Sequence, residues 1–101
     1  MAFDLSKLSG FKWDSGNLEH IKKHKVNHRE CEAVFFNKPL ILNPDETHSQ
    51  AEKRFRVYGQ TNKRRVLCLI FTIRNNNIRV ISARDLKRKE EKEFHLAGGD
   101  N

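Results

Sequence analysis

A histidine, a glutamate and an arginine stand close together in the stretch DETHSQAEKRFRVYG, residues 45–59, as His48, Glu52 and Arg54. An imidazole and a carboxylate can give and take a proton, and a guanidinium beside them can hold an anion through its two-pronged fork. Glu52 and Arg54 are two residues apart, so in an extended segment both leave the same face. The same three residues also suit a solvated loop followed by an ordinary Glu–Arg pair across a pleat. Spacing alone leaves both readings open.

A second cationic set follows. Arg74 ends an apolar run, and Arg79 and Arg84 bracket the next one, IRVISAR. Arg79 and Arg84 are five apart, so on a regular strand they point to opposite faces, and at most one shares a face with a given neighbour. Arg84 follows Ser82 and Ala83 at a strand end, where an arginine can present parallel hydrogen bonds to phosphate oxygens; strand-end arginines are also common as plain surface residues. His20 and His24, four apart, would hold a metal ion only if both lay on one helix face. Asn27 breaks the register before His28, and no carboxylate or thiol completes the shell, so no metal or other cofactor is expected. His24 reads instead as a residue near the helix C-terminus, interacting with the last carbonyls. A glycine-rich phosphate loop, GxGxxG and GxSxG are all missing, which sets aside NTP hydrolysis and serine acyl transfer.

The elements that must position these side chains can be read along the chain. Asp14 is placed to cap a helix that turns Leu18 and Ile21 inward. Asn27 with Glu30 predicts a capping box opening a second helix that buries Cys31, Val34 and Phe35. PLILN (39–43) is a short apolar strand and 43–50 a loop. EKRFRVYG alternates, placing Phe55 and Val57 on one face and Arg54, Arg56 and Tyr58 on the other. RVLCLIFTIR (65–74) is apolar enough to be the central strand, covered on both faces. NNN (75–77) turns the chain, residues 78–84 return beside it, and 85–94 form a last helix held by little more than Leu86 and Phe94. The expectation is an α+β fold: two N-terminal helices, an antiparallel sheet of about four strands and a C-terminal helix. Residues 1–10 read as a flexible lead, 11–96 as a single domain and 97–101 as a flexible tail.

Charge is distributed unevenly over these 101 residues. Residues 1–52 carry seven Lys/Arg against eight Asp/Glu, a net of −1, whereas residues 53–89 carry twelve Lys/Arg and only Asp85, a net of +11. A polyanion partner needs such a surface, because neutralising phosphates releases counterions. Cys31 and Cys68 sit in apolar surroundings and read as small buried hydrophobes rather than a disulfide. Neither a membrane span nor a signal peptide is evident, which points to a cytoplasmic protein without membrane contact.

FKWD at 11–14, Asn17, KKH at 22–24, EAVFFNKP at 32–39, the Asp45/His48 loop, Glu52, Arg54, Gly59, TIR at 72–74 and IRVISAR at 78–84 together resemble the BrnT family of toxins, over about residues 11–94. The resemblance implies a RelE-like fold and the toxin half of a bacterial type II toxin–antitoxin pair, an endoribonuclease that stops translation by cutting RNA (mRNA). It implies a BrnA-type antitoxin as partner and operator DNA bound through that antitoxin. Whether the RNA is cut on the ribosome, and whether the toxin forms a homodimer within the complex, stay open. His48, Glu52, Arg54, Arg74 and Arg84 match the family's site positions. Three departures stand out: Lys25 where glycine is usual, His28 where an aromatic is common, and Asp85–Leu86 where a small residue is usual.

Such an enzyme would need no metal, since the RNA 2′-hydroxyl can attack the neighbouring phosphate. Glu52 and His48 are then the base and acid, in either order, with Arg54, Arg74 and Arg84 clamping the phosphate. Lys53, Arg56, Lys63, Arg64, Arg65 and Arg79 form the wider RNA-binding surface. The alternative is a non-catalytic basic RNA- or DNA-binding module. Single-strand binders stack bases on exposed aromatics, and the polar sheet face offers mainly Tyr58.

Overall fold

The computed structural model describes residues 7–45 and 52–98. In chain order the elements are β1 (Gly10–Phe11), α1 (Ser15–Lys22), α2 (His28–Phe36), β2 (Ile41–Pro44), β3 (Phe55–Gln60), β4 (Val66–Arg74), β5 (Asn77–Asp85) and α3 (Arg88–Leu96). They build an α+β fold around one sheet of order β1-β5-β4-β3-β2. The sheet has five strands rather than about four. β1, at the Gly10 to Trp13 alternation, pairs parallel to β5 while every other pair is antiparallel. Ser9 N donates to Asn76 O and Lys12 N to Ile78 O, which seats this two-residue strand.

Both first helices begin as their sequences dictate. Asp14 and Asn17 form a capping box, each side chain accepting from the other's backbone N–H (3.2 and 2.8 Å). Asn17 is buried, and its amide nitrogen donates to Lys12 O and to Val80 O, both at 3.0 Å, so one residue caps α1 and ties it to β5. Asn27 and Glu30 repeat the capping box at α2. Between the helices Lys25 adopts φ 58°, the left-handed region that glycine enters without steric cost. That is the physical reason a glycine suits this joint.

One face of the sheet packs on α1 and α2. Ile21, Val26, Cys31, Val34, Phe35, Phe55, Val57, Leu67, Leu69, Phe71, Ile78, Val80 and Ala83 form this core. Gly59 is required where α2 crosses β3: a Cβ there would lie 2.6 Å from Val34 Cγ1. The opposite face holds a smaller cluster of Tyr58, Cys68 and Phe94, with α3 lying over it. β4 is therefore the middle strand and is covered on both faces for part of its length. Asn75 and Asn76, at φ 50° and 64°, make the β4–β5 turn, a two-residue connection whose left-handed positions asparagine tolerates.

Candidate active site

The face of the sheet turned away from α1 and α2 collects the arginines. Along β3, Phe55 and Val57 enter the core, so Arg56 and Tyr58 point the other way and Arg54 shares their parity. On β4 the same face carries Cys68, Ile70, Thr72 and Arg74. β5 contains the irregularity that matters. Its register runs from Ser82 opposite Ile70 to Val80 opposite Phe71, leaving Ile81 as an extra residue. Arg79 consequently lies opposite Thr72 and Arg84 opposite Cys68. Thr72 and Cys68 are four apart on β4 and share a face, so Arg79 and Arg84 share it too. The expectation that they point to opposite faces is overturned by this bulge.

Three rows now cross the sheet. At the end where β3 begins, Arg74 Nη2 and Nε donate to the two carboxylate oxygens of Glu52 at 2.7 and 3.0 Å. Thr72 Oγ1 donates to Lys53 O at 2.8 Å and pins the segment leading into β3. The hydrogen bonds from Arg74 hold the Glu52 carboxyl below the ordinary carboxylate range, with Arg54 and Arg79 adding to the effect. Six residues along β4 from Arg74, about 20 Å at ~3.3 Å per residue, Arg84 lies beneath α3. Its Nη1 and Nη2 donate to Glu90 Oε1 and Oε2 at 2.7 and 2.9 Å. Arg84 holds the Glu90 carboxyl down to about 2. Between the two ends Arg56 stacks on Tyr58, its guanidinium carbon 5.7 Å from the ring centre.

Glu52, Arg54 and Arg74 are thus brought together with Arg79, and Arg84 is set apart at the covered end. His48 lies outside the described residues. Arg79 is engaged with Asp14, donating at 2.7 and 3.3 Å across the sheet edge. Arg65 is taken up wholly within the domain. It donates to Asp85 (2.7 and 3.1 Å), to Glu30 (3.2 Å), and to the carbonyls of Lys25 and His24 (2.9 and 3.1 Å). Lys63 and Arg64 project from the exposed β3–β4 turn, and Lys53 Nζ lies 5.9 Å over the Phe55 ring.

Two participants were not visible in the sequence. Glu90 is buried against Arg84, and its only signal was an acid three residues into a helix, a position Glu90 also uses to accept from Lys87 N at 2.8 Å. Asp14 reads as a helix cap, and nothing in the sequence couples it to Arg79. His24 falls beyond the last residue of α1, so the His20/His24 pair does not share a helix. His28 instead sets its ring edge-on to Trp13 at 5.8 Å. Among the described residues no three His, Cys, Asp or Glu are grouped to hold a metal ion, and no helix is long and apolar enough to cross a membrane.

Fold and site together define a small α+β domain that gathers arginines on one sheet face, with a carboxylate set among them. The chain belongs to the BrnT family: residues 13–90 match the family of the ribonuclease toxin, BrnT, of type II toxin–antitoxin systems. No curated protein matches it. A toxin of such a system has an antitoxin protein as its partner.

Proposed function

We propose that this protein is a metal-independent endoribonuclease that inhibits translation by cutting mRNA, with its reaction centre at Glu52, Arg54, Arg74 and His48. The observation that carries the reading is the Glu52–Arg74 pair at the end of an arginine-bearing sheet face away from α3. In the reaction the 2′-oxygen bonds to phosphorus as its proton passes to the Glu52 carboxylate. The bond from phosphorus to the 5′-oxygen breaks, and His48 protonates that oxygen. The products are a 2′,3′-cyclic phosphate and a free 5′-hydroxyl. Arg54 and Arg74 face the phosphate as its charge builds, and Arg84 meets the same strand at a neighbouring phosphate rather than the scissile one. Because Arg74 keeps Glu52 ionised, the base is ready well below neutral pH, and Arg74 must turn from Glu52 to phosphate as RNA binds. The BrnA-type antitoxin, and operator DNA bound through it, follow from the same reading.

The second reading, a non-catalytic RNA- or DNA-binding module, needs exposed aromatics for bases to stack on. Tyr58, the aromatic on this face, is only 4% exposed, covered by Arg56 and α3, which favours the enzyme.

Incubating the purified protein with RNA in EDTA tests the proposal, alongside expression of each version in bacteria. The wild type should cut RNA and arrest growth. Glu52→Gln and His48→Ala should each lose about 10²- to 10⁴-fold in rate, the usual contribution of a positioned acid or base. Arg54→Ala should lower kcat by roughly 10²-fold with little change in KM, since its contact strengthens in the transition state. A folded wild type that neither cuts nor arrests growth would sink the nuclease. Cleavage abolished by EDTA would sink the metal-free mechanism, and binding by all versions without cutting would favour the module.

A further inference from the structure

The carboxylate of Glu90 sits where an incoming anion would. Two parallel N–H groups of Arg84 meet its two oxygens, and the Tyr58 hydroxyl lies 3.5 Å from Oε2. One guanidinium grasping two oxygens of one anion is also how arginine binds the two non-bridging oxygens of a phosphodiester. The surroundings suit that ligand better than a carboxylate alone. Tyr58, Cys68 and Arg84 form one row across β3, β4 and β5. Arg56 stacks against the Tyr58 ring, and its Nε is buried without a hydrogen-bond partner among the described residues. One guanidinium and a hydroxyl therefore meet the Glu90 carboxylate, and a second cation, Arg56, stands against the Tyr58 ring beside them.

Glu90 is there only because α3 is docked. That helix has nine residues, and Glu90 and Phe94 are its buried side chains. Leu86 just before it adds one further apolar contact. A helix shorter than ~12 residues is marginal alone in water, so α3 keeps its shape by lying on the sheet.

We propose that Arg84, Arg56 and Tyr58 form a second phosphate subsite for a single RNA strand, and that Glu90 fills it as an internal mimic which RNA displaces. The inference rests on the ribonuclease reading but concerns a phosphate about 20 Å, six strand residues, from the Glu52 end. It makes α3 a cover whose lifting admits the strand.

The probe is a short single-stranded RNA methylated at every 2′-oxygen, which the proposed chemistry cannot cut. Glu90→Gln keeps the size of the side chain and removes its charge. It should bind the probe on the order of tenfold more tightly, the scale of one charge-assisted hydrogen bond made to the added phosphate. Its salt dependence should steepen by about 0.7 in the logarithmic slope, the value of one added phosphate on a single strand. Adding Arg84→Ala should abolish both changes. Phe94→Ala, which loosens α3 through its apolar contact, should give the same Arg84-dependent tightening and decides the matter if Glu90→Gln does not fold. Unchanged binding in both variants, or tighter binding that survives Arg84→Ala, would overturn the subsite. A wild type that leaves unmethylated RNA intact would instead overturn the nuclease, and the two failures are read separately.

Discussion

Arg65 shows how far a cation's role can lie from its surface appearance. Its guanidinium reaches the carbonyls left open past the end of α1, the Glu30 carboxylate in the first turn of α2, and Asp85 at the end of β5. It thereby joins three elements, and its side chain is 28% exposed. Removing it leaves the part-buried Glu30 carboxylate, the more exposed Asp85 and two carbonyls without their shared donor. Arg65→Ala should therefore lower unfolding stability by about 2–3 kcal/mol, the scale of losing hydrogen bonds to charged groups. Arg65→Lys should restore only a fraction, because an ammonium cannot reproduce the planar fork. Urea unfolding checks both; unchanged midpoints would remove Arg65 from the joint. In the sequence Arg65 stands between Arg64 and an apolar strand and reads as one more RNA-facing cation. Its partners lie 35 and 20 residues away, a separation no local pattern encodes. The caps at Asp14 and Asn27 were legible for the opposite reason, since each partner lies three residues on.

At the scale of elements, the sequence exposed periodicity and concealed its exceptions. Alternation placed Arg54, Arg56 and Tyr58 on one face, and the apolar run marked β4 as central. The parity count failed in β5 because one unpaired residue at Ile81 reverses it, and nothing in IRVISAR marks a bulge. The thin stripe of α3 was legible through Phe94, whereas Leu86, expected inside a helix from residue 85, lies just before it because β5 runs on to Asp85. Glu90 was not, because in the run KRKEEKE it looks like Glu91 and Glu93, both exposed. That buried carboxylate gives α3 a dependence on acidity. Its folded pKa of about 2 lies below the ordinary 4.5. A depressed carboxyl stabilises the docked helix fully above the ordinary value and loses that contribution as pH falls through the folded one. α3 should therefore loosen between about pH 4.5 and 2, followed by NMR through the Phe94 amide. Glu90→Gln should lack this transition; an identical acid transition in both would sever it from the Arg84–Glu90 pair.

Over the whole molecule, the formal charge of +7 acts as a field as well as a set of contacts. The two ends of the arginine face differ in what surrounds them. Glu52 and Arg74 lie where β3 begins, whereas Lys63 and Arg64 lie in the turn after β3 ends, about 26 Å away counted over the eight residues from Glu52 to Gln60. At ~0.15 M salt the Debye length is about 8 Å, and at ~0.01 M about 30 Å. Cations at the turn can therefore attract RNA toward the Glu52 end only in dilute salt. Replacing both, as Lys63→Glu with Arg64→Glu, should lower kcat/KM several-fold at low salt and leave it close to wild type at physiological salt, with kcat unchanged throughout. Arg74→Ala should behave differently, because a contact to the reacting phosphate is not screened away: its loss should persist at both salts and fall on kcat. Steady-state cleavage at two ionic strengths separates the cases. A Lys63/Arg64 defect of equal size at both salts would mean that RNA touches the turn directly, and the strand would then have to run the full length of the sheet face, past Arg56 and under α3.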